Sequence, residues 1–180
     1  GANMNTRDNL WKTPVMVIMP QDKINESYSI MQKHNADLSE KDMYGDTVLH
    51  NAAMMNVSSE VVLQLINGGA DVNARNKEGV TPLEIAVQKG NLNLANYLTV
   101  YGANIHTQDT KGRSPLKLAL EADNKMLEAI LKRENSTSQD TDGNTPLHIA
   151  LINDVPLSKI QYIVSLTDDV NIRISDVHSP

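Results

Sequence analysis

One phrase returns five times along the chain: DNLWKTPVMVIM from Asp8, DMYGDTVLHNAA from Asp42, NKEGVTPLEIAV from Asn76, DTKGRSPLKLAL from Asp109 and DTDGNTPLHIAL from Asp140. Its hydroxyl residues Thr13, Thr47, Thr81, Ser114 and Thr145 are spaced by 34, 34, 33 and 31 residues. A period of that length marks a stacked array of small similar units, each burying its apolar face against the next. It argues against one compact globule closed around a private pocket.

Each word of the phrase has a local physical meaning. An Asp or Asn followed three residues later by Gly, as at Asp42/Gly45 and Asp140/Gly143, is turn chemistry: the side chain bonds nearby backbone N–H groups and the Gly tolerates positive φ. Thr47, Thr81, Ser114 and Thr145 are placed to cap a helix, and Pro82, Pro115 and Pro146 suit its first position, where a missing N–H costs nothing. Glu84, three residues after Thr81, can complete a capping box. After a polar break such as Lys89-Gly90-Asn91, a second apolar-periodic run follows, VVLQLINGG from Val61 or LANYLTVYG from Leu94.

This phrase, with GADVNARN from Gly69, GANIHTQD from Gly102 and two copies of TPLxxA, resembles the ankyrin repeat over nearly the whole chain. The resemblance implies an all-α solenoid of about five helix-turn-helix units joined by β-hairpin-like turns, with imperfectly capped ends. The units run over 8–41, 42–75, 76–108, 109–139 and 140–173, preceded by a tail or cloning scar at 1–7. The first unit has Trp11 where Gly belongs and Val15-Met16 where Leu-His belongs, so a less regular turn and inner helix are expected there. The fourth unit, with KRENSTSQD before Asp140, is expected to have a trimmed second helix or exit turn. Residues 174–180 read as a tail or the start of a sixth repeat, Ser179-Pro180 falling in register with Thr145-Pro146. Repeat arrays need polar-faced terminal units; both a piece of a longer array and a complete small protein fit these ends.

Composition sets limits. The 180-residue chain has one Trp, five Tyr and no Phe, so its core must be built from Leu, Ile, Val, Ala and Met. No stretch approaches the roughly 20 apolar residues of a membrane span, and Val15 to Met19 is too short for a signal-peptide core. The absence of Cys excludes disulfides and thiolate chemistry without choosing a compartment. A net charge of −6 argues against a nucleic-acid partner, whose binding rests on many Lys and Arg at phosphates.

Little in the sequence points to catalysis. The resemblance gives His50 and His148 a structural role, bonding backbone groups between neighbouring repeats, and no His or Cys stands at zinc spacing. His34, His106 and His178 are expected in solvated turns or tail. A catalytic constellation converges asymmetrically on one place, whereas Asp42, Asp109 and Asp140 recur with the fold. Asn25-Glu26-Ser27, Asn56-Val57-Ser58 and Asn135-Ser136-Thr137 fit a glycosylation sequon that arises often by chance. Lys111, Arg113 and Lys117 form a candidate anion site, against the plainer reading of a solvated charged face. No phosphate loop or dinucleotide fingerprint is present, and no cofactor or metal is expected.

Function is therefore sought on the surface of the array. The resemblance places binding residues on the hairpin tips and inner-helix ends lining a concave groove. The tips are Met43, Tyr44 and Asp46; Lys77, Glu78 and Val80; Thr110, Lys111 and Arg113; and Thr141, Asp142 and Asn144. Helix ends add Met54 and Met55, Gln88 and Lys89, Glu121 and Ala122, and Ile152 and Asn153, while Lys41, Arg75, Gln108 and Gln139 stand just before the turns. Met43, Tyr44, Met54 and Met55 bring large apolar side chains to positions that folding does not require to be apolar, unless two of the Met side chains fill the inter-repeat seam. Tyr anchors and adaptable Met are common at protein-binding surfaces. The expectation is a monomeric, non-catalytic module that binds a partner protein in this groove. Two alternatives stand beside it: a regulatory or targeting segment of a larger enzyme, and an enzyme built on the array itself.

Overall fold

The computed structural model describes residues 3–17, 34, 36–55, 57–131 and 137–166. The sequon residues Asn25, Asn56 and Asn135, His178 and the Ser179-Pro180 pair lie outside the described residues. Among those described there are nine α-helices and no strand: α1 (Pro14–Val17), α2 (Val48–Met55), α3 (Ser59–Asn67), α4 (Pro82–Gln88), α5 (Leu92–Val100), α6 (Pro115–Glu121), α7 (Asn124–Ile130), α8 (Pro146–Ile152) and α9 (Leu157–Leu166). Inner helices α2, α4, α6 and α8 pack in chain order, outer helices α3, α5, α7 and α9 do the same, and each inner helix packs on the outer helix that follows it. The trimmed fourth unit appears as a seven-residue α7 beside nine residues in α3 and α5.

The turns are built as their side chains require. In all five, Oδ1 of the first residue accepts two backbone N–H bonds: Asp8 from Leu10 and Lys12, Asp42 from Tyr44 and Asp46, Asn76 from Glu78 and Val80, Asp109 from Lys111 and Arg113, and Asp140 from Asp142 and Asn144, all at 2.8–3.0 Å. The turn of the first unit is as regular as the others, contrary to expectation. Trp11 occupies the glycine position at φ 61°, and the hairpin still closes through Asp8 N–H to the Lys12 carbonyl at 3.0 Å. Successive turns are linked by backbone bonds from Met43 to Leu10, Lys77 to Tyr44 and Thr110 to Glu78, at 3.0, 3.1 and 2.8 Å.

Helix starts follow the capping chemistry. The hydroxyls of Thr81, Ser114 and Thr145 accept from the backbone N–H three residues on, and proline follows each. The capping box expected at Glu84 is not formed there, because that carboxylate turns toward Gln88 and Arg113 instead. A box forms at Thr145, where the third helical residue is His148.

Residues 3–7, set apart by the sequence as a tail, carry repeat geometry. Asn3 Oδ1 accepts from Asn5 N–H as Asp37 does from Ser39, Asp71 from Asn73 and Asn104 from His106. Asn5 Oδ1 takes the Asp37 N–H across to the next unit, just as Asn73 takes that of Asn104. Met4 is buried like Leu38 and Ile105.

The core is a thin continuous sheet of aliphatic contacts. Leu49, Leu83, Leu116 and Leu147 bury one inner-helix column, and Ala52, Ala86, Ala119 and Ala150 form another with no exposed surface. The alanines allow close approach of neighbouring helices. Ala86→Leu is expected to overpack the seam and to cost about 1 to 3 kcal/mol in a denaturant titration. An unchanged midpoint would show that the column is not a close-packed seam.

Candidate functional site

The apolar tip and helix-end residues of the second unit are exposed. Met43 is 38% exposed, Tyr44 57%, Met54 40% and Met55 51%. Neither Met54 nor Met55 fills the inter-repeat seam; both are exposed in the last turn of α2. Lys41, Arg75, Lys77, Glu78, Gln88 and Lys89 are exposed as well, and so is Lys111 one repeat further on. Some of these are tethered: Lys41 Nζ donates to the Arg75 carbonyl, Arg75 Nη2 to that of Gln108, both at 2.8 Å, and Gln88 Nε2 to Glu84 Oε1 at 2.9 Å.

The fifth turn position belongs to the seam between repeats, which corrects the sequence assignment of these residues to the tips. Asp46, only 7% exposed, accepts from Asn76 Nδ2 at 2.8 Å. Val80 is buried and its carbonyl bonds His50. Arg113 is half-buried, holding Asp109 Oδ2 through Nε and Nη2 at 2.8 and 2.6 Å, with Nη2 3.4 Å from Glu84 Oε1. Lys117 Nζ donates to the Gly112 carbonyl at 3.0 Å and Arg113 is paired with Asp109 and Glu84, while Lys111 is exposed. His106, expected in solvent, is half-buried with Nε2 2.8 Å from Ser138 Oγ, while His34 is exposed.

A family model for ankyrin repeats, in three copies, matches residues 16–109 and 83–174. The chain belongs to the ankyrin-repeat family. Among curated relatives, a protein of Rickettsia bellii named for ankyrin repeats is 44% identical over 68 residues, covering 38% of this chain and 40% of the relative. A Fowlpox virus protein named for ankyrin repeats is 34% identical over 109 residues, 54% of this chain and 22% of the relative. A Dictyostelium discoideum protein named as a serine/threonine-protein kinase is 30% identical over 86 residues, 45% of this chain and 10% of the relative. The chain thus spans two fifths or less of the length of these relatives. Ankyrin repeats are generally protein-interaction modules, and the family is generally non-catalytic. No helix among the described residues is long and apolar enough to cross a membrane.

Two kinds of clamp hold the ankyrin units together. Between repeats two and three, the buried His50 ring accepts the Thr47 N–H at Nδ1 (3.1 Å), which leaves Nε2–H to donate to the Val80 carbonyl at 2.9 Å. Burial pushes the His50 pKa down, against the opposing pull of the Val80 carbonyl and the Asp46 charge, and keeps the ring neutral. Between repeats three and four, Glu84 occupies the histidine position and meets Arg113. Its Oε2 is buried and accepts no hydrogen bond among the described residues. Burial, and then the neighbouring Asp109 carboxylate, raise its pKa to about 7 despite Arg113.

The two clamps respond to pH with opposite signs. Glu84 binds its proton more tightly when folded, so its contribution is complete below about pH 4.5 and is lost as pH rises through about 7. Unfolded His50 takes up a proton that the folded ring refuses, so its contribution declines as pH falls below about 6.5. Glu84→Gln is expected to remove a stability loss on the order of 2 kcal/mol between pH 5 and 8. Denaturant midpoints across that range read it directly, and parallel curves for the two proteins would refute the assignment.

Proposed function

We propose that this chain binds a partner protein, without catalysis, through the face formed by its turn tips and inner-helix ends, centred on repeats two and three. The observation carrying this reading is the exposure of Met43, Tyr44, Met54 and Met55, four large apolar side chains of one repeat that its core does not need. The turns and helix ends of repeats two to four add exposed Arg75, Lys77, Glu78, Gln88, Lys89 and Lys111, and apolar anchors accompanied by charge are the usual anatomy of a binding hot spot. Asp46 and Arg113 support the face from within the seams.

The test begins with affinity capture of partners by the wild-type chain and by a Tyr44→Ala/Met55→Ala variant, followed by calorimetry with the protein captured selectively by the wild type. Each single truncation is expected to weaken binding by roughly 1 to 3 kcal/mol while leaving the melting transition nearly unchanged. A partner whose affinity survives both truncations would overturn the placement. Charge reversal at Lys77 or Lys89 is expected to act mainly on the association rate and its salt dependence.

The likeness to a kinase-named relative, of which the matched segment is only 10%, favours a second reading. In it, the array is the regulatory or targeting segment of a larger protein whose catalytic part lies outside this chain. A kinase domain encoded in the same reading frame supports that reading, and a frame holding only repeats removes it.

A further inference from the structure

A hollow of about 310 Å³ lies beside the tips of the first three repeats, lined by Arg7, Trp11, Lys41, Arg75 and Lys77, with Asp42 among its walls. Arg7, Lys41 and Arg75 each immediately precede the first residue of a turn and recur at intervals of 34 residues; the next two such positions are Gln108 and Gln139. The period of the fold therefore builds a row of cations that ends after the third repeat. The row is held in place by Arg7 pairing with Glu40, Lys41 donating to the Arg75 carbonyl and Arg75 to that of Gln108. Bonds to neutral carbonyls leave the charges of Lys41 and Arg75 uncompensated. The Asp42 carboxylate is buried, with Lys12 Nζ 3.9 Å away. In a chain of net charge −6, such a concentration of positive charge is local.

Trp11 adds an independent observation. It is the single tryptophan of the chain, stands 55% exposed, and adopts φ 61° where the other turns use glycine. The turn requires a left-handed residue at this position, which glycine supplies in the other repeats, so a bulky aromatic side chain held there is an outlier. Its indole lies under the Arg7 guanidinium, 5.6 Å from the ring centroid, and forms an apolar wall for the hollow.

We propose that this hollow docks an extended acidic segment of a protein partner, with an apolar side chain resting on Trp11 and carboxylates meeting the Arg7, Lys41, Arg75 row and Lys77. Packed helices lie about 8 to 10 Å apart and an extended chain advances about 3.3 Å per residue, so the carboxylates fall about three residues apart. A nucleic-acid strand fits poorly, because so short a row neutralises few phosphates. The proposal extends the protein-binding reading by naming the chemistry of the partner segment.

The probe is acetyl-Glu-Leu-Gly-Glu-Leu-Gly-Glu-amide, titrated at low ionic strength against the full chain while Trp11 fluorescence is recorded. Two controls are the isomer with its three Glu residues adjacent and the peptide with Lys in place of Glu; an oligothymidine strand is the third competitor. The spaced peptide is expected to shift Trp11 emission and to bind about tenfold more tightly than either control peptide. Lys77→Glu, which touches no internal bond, is expected to weaken it by about tenfold, and added salt should do the same. With a dye-labelled peptide, Trp11→Gly should weaken binding while the melting temperature stays level or rises, separating lost contact from lost fold. Peptide binding is read on the chain alone and dependence on Met55 is read with the captured partner, so the two readings can fail separately. Equal binding of the Lys peptide, indifference to Lys77→Glu, or tighter binding of the oligothymidine would overturn the proposal.

Discussion

Replacing His50 with alanine is expected to lower stability by about 3 to 5 kcal/mol. The ring is fully buried and spans two repeats, from the Thr47 N–H to the Val80 carbonyl. Its removal opens a cavity and leaves buried polar groups on both sides without partners. His148→Ala supplies the internal comparison: that ring is half-buried and its described bonds all run to Thr145, so about 0.5 to 2 kcal/mol is expected, the value of a cap. Denaturant titration of both variants measures the difference. Equal losses would mean that the bridge to Val80 adds nothing beyond the cap.

Gly45→Ala should lower stability by roughly 2 to 4 kcal/mol, combining the left-handed backbone with a steric clash. At φ 81°, a Cβ on Gly45 would sit 2.8 Å from the backbone nitrogen of Lys77 in the next turn, and backbone cannot swing aside. Gly143 has the same φ, and among the described residues nothing lies within 4 Å of its Cβ position. Gly143→Ala should therefore show only the conformational part, about 1 to 2 kcal/mol. The pair isolates inter-repeat contact from turn geometry, and similar midpoints for the two variants would contradict the stacking of turn on turn.

Much of this fold was legible because its signals are local and repeated. The Asp and Asn at the head of each turn, the hydroxyl three residues from the helical N–H that donates to it and the alanine column all act within a few residues, and five registered copies reinforce them. The misreadings share a different cause. Glu84 has the spacing of a capping box, but Arg113, which draws it away, lies in the next repeat. The fifth turn position looks like a tip in one unit alone and becomes seam only when the next unit is stacked, as Asn76 does on Asp46. Trp11 was expected to disturb its turn, yet the Asp8 bonds to Leu10 and Lys12 are sufficient to hold the hairpin around it. Arg7 falls outside a first unit that starts at Asp8, although the 34-residue step to Lys41 and Arg75 is present in the sequence. The exposure of Met54 and Met55 required the position of α2 against its neighbours, which periodicity alone leaves open.

The central claim concerns which face of the array meets its partner, and hydrogen exchange with and without a captured partner tests it most directly. Binding at the proposed face predicts slowed exchange over residues 42–46 and 75–80 and at the end of α2 around Met54 and Met55, with the outer helices α3, α5 and α7 unchanged. Protection confined to those outer helices, around Gln64, Asn96 and Glu128, would contradict the account and return the exposed methionines to ordinary surface.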